Sequence, residues 1–153
     1  MKNKRKGFSV IEIVLVLGVI GILVGFLVPK TRNYLALAKD TKVVNTLSSI
    51  RTAAEMYTLE KGIYIENTGS ENINLTKIDI DKLKNYLKIG SEFKTVGDET
   101  HLEIGGSKDT LESEEIKYGG AVKLKVNTDN EIVLEPLNGT GTYSIKGEKW
   151  IDL

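Results

Sequence analysis

The sequence predicts an α+β protein: a long N-terminal helix whose first half is apolar enough to span a membrane, packed through its second half on a small antiparallel β-sheet. Three observations carry this. Residues Phe8–Val28 form a 21-residue run, FSVIEIVLVLGVIGILVGFLV, interrupted only by Ser9, Glu12 and three glycines. After Pro29 a helical stripe resumes, Val43, Leu47, Ile50, Ala54 and Tyr57, at spacings of four, three, four and three. Further on, alternation takes over, with Val122, Leu124 and Val126 set against Ile132 and Leu134 across Thr128-Asp129-Asn130.

The first element is residues 1–7, MKNKRKG, with four cationic side chains and no acid. The whole chain carries 21 basic and 21 acidic residues, a net charge of zero. Without the first seven residues 17 bases face 21 acids, a net of −4. The split reads as a detachable basic leader on an acidic product.

The second element, 8–28, spans ~31 Å as a helix, matching a ~30 Å hydrocarbon core. A domain this small can hardly bury such a helix on all sides. Lys2, Lys4, Arg5 and Lys6 precede it and are expected to stay on the cytoplasmic side. The sequence after the run, Phe26-Leu27-Val28-Pro29-Lys30, lacks a small-x-small cleavage site, so the segment is expected to remain in the mature protein. Gly21-x-x-x-Gly25 allows close approach of helices. Pro29 removes a backbone donor and predicts a kink.

The third element, 29–61, continues the helix, with the stripe facing a sheet and Thr41, Asn45, Ser48, Ser49 and Thr52, joined by Met56 and Leu59, on the opposite side. Gly62 supplies a stop. The fourth, 62–153, reads as a globular α+β head. In it, 63–75 is a surface loop. A short helix carries Ile80, Leu83, Tyr86 and Leu87, capped by Asp79 or Asp81 and closed by Gly90. A strand covers His101–Ile104. A second hairpin joins Thr142–Ile145 to Lys149–Ile151 across Lys146-Gly147-Glu148.

Composition excludes much chemistry. There is no cysteine, hence no disulfide, thiolate metal site or cysteine nucleophile. The single histidine, His101, cannot build a histidine zinc site or a Ser-His-Asp triad with convincing partners. Gly139-Thr140-Gly141 is too short for a phosphate loop and reads as a turn. Asp98, Glu99 and Glu103, or Glu112, Glu114 and Glu115, could offer oxygen ligands to calcium. Neither set has the spaced, glycine-turned order of a dedicated loop, and both read as solvated acidic faces. No cofactor, catalytic residue or metal site is expected, and no nucleic-acid partner.

Glu12 is the most informative residue. An acid inside a membrane span is costly and marks function by default. Its context, Lys-Gly-Phe-Ser-Val-Ile-Glu at 6–12, resembles the processing site of type IV prepilins and related type II secretion pseudopilins. The resemblance covers residues 1 to about 60: a basic leader, Gly7, Phe8, an acid five residues after Gly7, an apolar run and Pro29. Ser9-Val10 stands where the family more often has Thr-Leu. The resemblance implies the pilin fold, cleavage between Gly7 and Phe8 by a prepilin peptidase, and N-methylation of Phe8. It implies a homo-oligomeric filament, a pilus or pseudopilus, built through the N-terminal helix with the help of an assembly machinery. It also implies that helical structure between Gly21 and Pro29 is lost on assembly. Cleavage would leave an ammonium at Phe8, which Glu12 of a staggered neighbour could meet. An unpaired buried charge is penalised while a paired one is tolerated, so the pair would set register. The alternative expectation is a monomeric, membrane-anchored extracytoplasmic binding module, which needs no Glu12.

Overall fold

The computed structural model describes residues 8–62, 73–74, 77–87, 94–96 and 99–153. The chain divides into two units, 1–34 and 35–153. Helix α1, Val10–Lys61, begins in the first and continues into the second. Pro29 lies inside α1, and the helix continues through it. Just beyond, the Thr31 hydroxyl donates to the Val28 carbonyl at 2.9 Å.

None of the described apolar residues of the first unit is buried. The most apolar 18-residue window of α1 has a mean hydropathy of 2.9 and is 0 % buried. By length and composition this segment can cross a membrane. Each large aliphatic side chain left in water forgoes ~1.5–3 kcal/mol of burial, so a run such as Ile11, Leu15, Leu17, Ile22 and Leu23, all exposed, requires lipid or another chain around it.

The second unit has its own core. Val43, Leu47, Ile50 and Ala54 are buried as the stripe predicts, with Tyr57 packed against them, while Thr41, Asn45, Ser48, Thr52, Met56 and Leu59 are exposed and Ser49 is half-buried. The stripe meets a sheet of five short strands. These are β1 (Ile73–Asn74), β2 (Lys94–Val96), β3 (Glu99–Glu103), β6 (Ala121–Val126) and β7 (Ile132–Pro136). All pairings are antiparallel. β6 is central: β7 lies along one edge, while β3 and β1 share the other in succession, at residues 121–123 and 125–126. Along β6, Val122, Leu124 and Val126 are buried and Ala121, Lys123 and Lys125 half-buried, which is the alternation of a sheet with one face on the core. The predicted hairpin pairs Val126 with Ile132 and Leu124 with Leu134. Its turn is closed by the Asn127 side-chain oxygen, which accepts from the amides of Asp129 (3.0 Å) and Glu131 (2.8 Å), with Asn130 in the left-handed region at φ 62°.

Several expectations are corrected. The loop placed at 63–75 contains strand β1; residues 63–72 and 75 lie outside the described set. Helix α2 runs Lys77–Leu83, so Asp79 and Asp81 are inside it and do not cap it, Tyr86 and Leu87 lie beyond its end, and Gly90 is outside the described residues. The second hairpin has only one strand arm, β8 (Tyr143–Ser144). Its turn forms, with Gly147 at φ 90° and its amide donating to the Ser144 carbonyl at 3.0 Å. The other arm keeps a single bridge, Tyr143 to Lys149, then coils into a 3-10 helix, Trp150–Asp152. The physical reason is the Trp150 indole, fully buried in the core, which draws the chain out of strand register. β8 pairs with β4 (Gly106–Lys108), which also pairs with β5 (Lys117–Tyr118), giving a second, three-stranded sheet that sequence alternation did not reveal.

A buried acid ties α1 to the sheets. Asp40 is 4 % exposed, and its Oδ1 accepts from the amides of Gly105 at 2.8 Å and Gly106 at 3.3 Å. Burial raises the Asp40 pKa above its ordinary value, against the pull of the Gly105, Gly106 and Ile145 amides and the positive Lys146. A raised folded-state pKa means that the native state holds this proton more tightly than the unfolded chain does. The contribution of Asp40 is therefore most favourable below the ordinary carboxylate range and falls as pH rises through it to the raised value. Asp40→Asn should remove that slope, read as the wild-type-minus-variant difference in melting temperature across acidic pH. An unchanged difference over that window would contradict it. On the outer sheet face, burial raises the Glu135 pKa, but hydrogen bonds from Lys125 (2.7 Å) and Lys123 (2.9 Å) outweigh it and hold the carboxyl below its ordinary value.

Candidate assembly site

Phe8 and Ser9 precede helix α1, and Phe8 is 82 % exposed. Gly7, the other half of the expected cleavage site, is outside the described residues. Ser9 occupies the N-cap position. Its carbonyl accepts from the amides of Glu12 at 3.1 Å and Ile13 at 3.3 Å. The Glu12 carboxylate reaches back one turn, and its Oε2 accepts from the Ser9 amide at 2.9 Å. This is the carboxylate half of a capping box, which satisfies one of the donors left over at a helix start. An acid in the first turn also complements the positive end of the helix dipole.

Reading Glu12 as an interchain partner missed this role. The signal was present: Ser9-Val10-Ile11-Glu12 is the S-x-x-E pattern directly ahead of an apolar run. Glu12 is exposed, so the carboxylate that caps its own helix also stands open to a second chain. At Gly18, Gly21 and Gly25 no atom beyond the chain neighbours and the adjoining turns of helix backbone lies within 4 Å of where a Cβ would stand. These glycines therefore serve no contact among the described residues.

The remaining candidates are unremarkable. His101 is half-buried in β3, between Lys94 of β2 and Lys123 of β6. Gly139 and Thr140 belong to a turn over residues 137–140, with the Thr140 amide donating to the Leu137 carbonyl at 2.9 Å and Gly139 at φ 87°, and Gly141 follows it. Among the described residues no three His, Asp or Glu side chains come together as a metal site. Glu112, Glu114 and Glu115 are exposed, while Asp98 lies outside the described residues.

Comparison with known proteins bears on the exposed apolar helix and its capped acid. The chain is 37 % identical over 60 residues to the type IV major fimbrial protein FimA of Dichelobacter nodosus, covering 39 % of this chain and 38 % of the relative. It is 40 % identical over 60 residues to the prepilin peptidase-dependent protein D of Escherichia coli K12, covering 39 % and 41 %. This chain is similar to type IV fimbrial proteins. A third such relative, the type IV major alpha-pilin of Moraxella bovis, is 32 % identical over 78 residues, covering 48 % and 49 %. The chain thus spans between about two fifths and half of the length of these fimbrial relatives. No family model matches, and no solved structure matches. The long apolar helix and the small antiparallel sheets agree with the α+β, pilin-like fold that the resemblance implied.

Proposed function

We propose that this protein is a structural subunit, not an enzyme, of a type IV pilus or pseudopilus-like filament. The observation that carries this reading is the membrane-length apolar part of α1, exposed throughout and headed by Phe8 and Glu12, in a chain similar to fimbrial proteins. A prepilin peptidase cuts after Gly7 and methylates Phe8. Before assembly the apolar segment anchors the subunit in the cytoplasmic membrane, N-terminus inside and residues 35–153 outside. On assembly the same segment leaves lipid for a bundle of its copies. There Glu12 exchanges its own Ser9 amide for the Phe8 ammonium of a neighbour, and Pro29 and the glycines before it let the helix yield.

Mass spectrometry of the mature N-terminus tests the first step. The expected product begins at Phe8 and is one methyl group heavier than the unmodified chain. A mature protein still beginning at Met1, in cells with an active prepilin peptidase, overturns the reading. A second reading has one observation in its favour: the Glu12 cap on Ser9 gives the acid a task inside a single chain. A monomeric membrane-anchored module would use it so, and would form no filaments.

A further inference from the structure

Two cations stand directly beyond the apolar run with nothing in the chain to neutralise them. Lys30 and Arg32 are exposed, and among the described residues neither makes an ion pair or a side-chain hydrogen bond. On a helix the residues three and four positions away are the ones within reach. None of these is an acid for either cation, and residues 13–39 contain no Asp or Glu at all.

The depth of the two side chains selects the partner. When Phe8–Val28 fills the hydrocarbon core, Lys30 lies ~3 Å and Arg32 ~6 Å beyond its edge along the helix. The polar headgroup layer is ~5–7 Å thick on each side, so both cations stand at the level of the lipid phosphates. Phe26 and Tyr34, 73 % and 70 % exposed, lie one turn before and one turn after Lys30 in the same row. A tyrosine there suits the membrane interface, where amphipathic rings collect. Charge placement adds a second argument. Lys and Arg favour the cytoplasmic end of a span, and Lys2, Lys4, Arg5 and Lys6 already mark one end. Lys30 and Arg32 mark the other, where that preference opposes them and an attraction must offset it. A zwitterionic headgroup cancels its own phosphate with its ammonium. A net-negative one does not, and it attracts each Lys or Arg held near it. The Arg32 guanidinium can also grip a phosphate through two parallel N–H bonds.

We propose that Lys30 and Arg32 bind the phosphate of an anionic phospholipid in the leaflet at the C-terminal end of the apolar run. The proposal rests on the reading that this run spans a membrane. The contact sets the depth of the anchored subunit, and it is released when the segment leaves lipid for the bundle.

The full chain would be placed in phosphatidylcholine vesicles with a minor fraction of phosphatidylglycerol, and a trace of either lipid spin-labelled on an acyl chain. Electron paramagnetic resonance separates label held at the protein from label in the free bilayer. Phosphatidylglycerol should be held more strongly than phosphatidylcholine, and Lys30→Gln with Arg32→Gln should lower that preference by about threefold or more. The cations of residues 1–7 are the same in both chains, so the difference reports on this pair. High salt should shrink it. Lys30→Arg with Arg32→Lys keeps both charges and should keep the preference. Label of neither kind held at the protein would mean that the run does not enter the bilayer, which sinks the membrane reading and the proposal together. Held phosphatidylcholine with an equal preference in wild type and double Gln variant would overturn the proposal alone. If that variant also lost its filaments, the two cations would belong to acidic groups of a neighbouring subunit instead.

Discussion

Glu12→Gln should abolish filaments, or nearly so, while leaving membrane insertion, N-terminal cleavage and the folding of residues 35–153 intact. A glutamine keeps a carbonyl oxygen that can accept from the Ser9 amide, as Glu12 Oε2 does at 2.9 Å. It removes only the charge. If the Phe8 ammonium of one subunit is buried against Glu12 of the next, stranding it is destabilising by ~3 kcal/mol or more per contact. That corresponds to over ~100-fold in the association constant at each step. Glu12→Ala loses both the charge and the cap, so it should also fray the first turn of α1, by ~1 kcal/mol. Electron microscopy and shearing of surface filaments separate the outcomes. Loss in both variants supports charge pairing. Normal filaments with Gln and none with Ala would mean that the cap is what assembly needs. Normal filaments in both would sink the pairing argument outright, and a chain that never assembles in the wild type would favour the anchored module.

Gly105→Ala should unfold, or come close to unfolding, the second unit. A Cβ at Gly105 would stand 1.9 Å from the Ala36 carbonyl oxygen and 2.4 Å from the Ala36 Cα, all backbone atoms of a helix that cannot yield locally. The strain is steric only, because Gly105 does not lie in the left-handed region. To relieve it, α1 must move away from the chain between β3 and β4. That movement breaks the bonds from Asp40 to the Gly105 and Gly106 amides and leaves a buried carboxylate unpaired. Overpacking a core typically destabilises by ~1–3 kcal/mol, and the lost acid contacts add to this. A fragment beginning at Leu35 suits the measurement, since its core is drawn entirely from residues within 35–153. The wild-type fragment should melt cooperatively, and the variant should melt at a far lower temperature or not fold. Gly119→Ala is the matched control: its Cβ would meet no atom within 4 Å, although its φ of 81° carries the milder strain of the left-handed region. Equal losses in the two variants would contradict the close-approach account.

How much of this was legible beforehand depends on how local each signal is. The span, the stripe from Val43 to Tyr57, the β6–β7 hairpin and the Gly147 turn are written in periodicities and turn residues within about fifteen positions of one another. Such patterns survive in any packing that buries one face. The cap on Ser9 was equally local and still overlooked, because a charge in a membrane span drew the reading toward a second chain. Asp40 was not legible. It sits within the polar stretch before the stripe, and its partners lie 65 and 66 residues away at Gly105 and Gly106, a pair that by itself reads as a flexible linker. Trp150 follows the same logic: a residue that continues a hairpin by local pattern leaves it because an indole fits the core better than a strand position suits it. The amino-acid order alone determined that there would be an apolar helix in need of another environment, and a half-apolar helix in need of a sheet. Which strands share the two edges of β6, why a second sheet splits off, and where a buried carboxylate finds its donors were decided only when distant segments met. The free energy of those choices resides in contacts between residues whose separation along the chain carries no periodic trace.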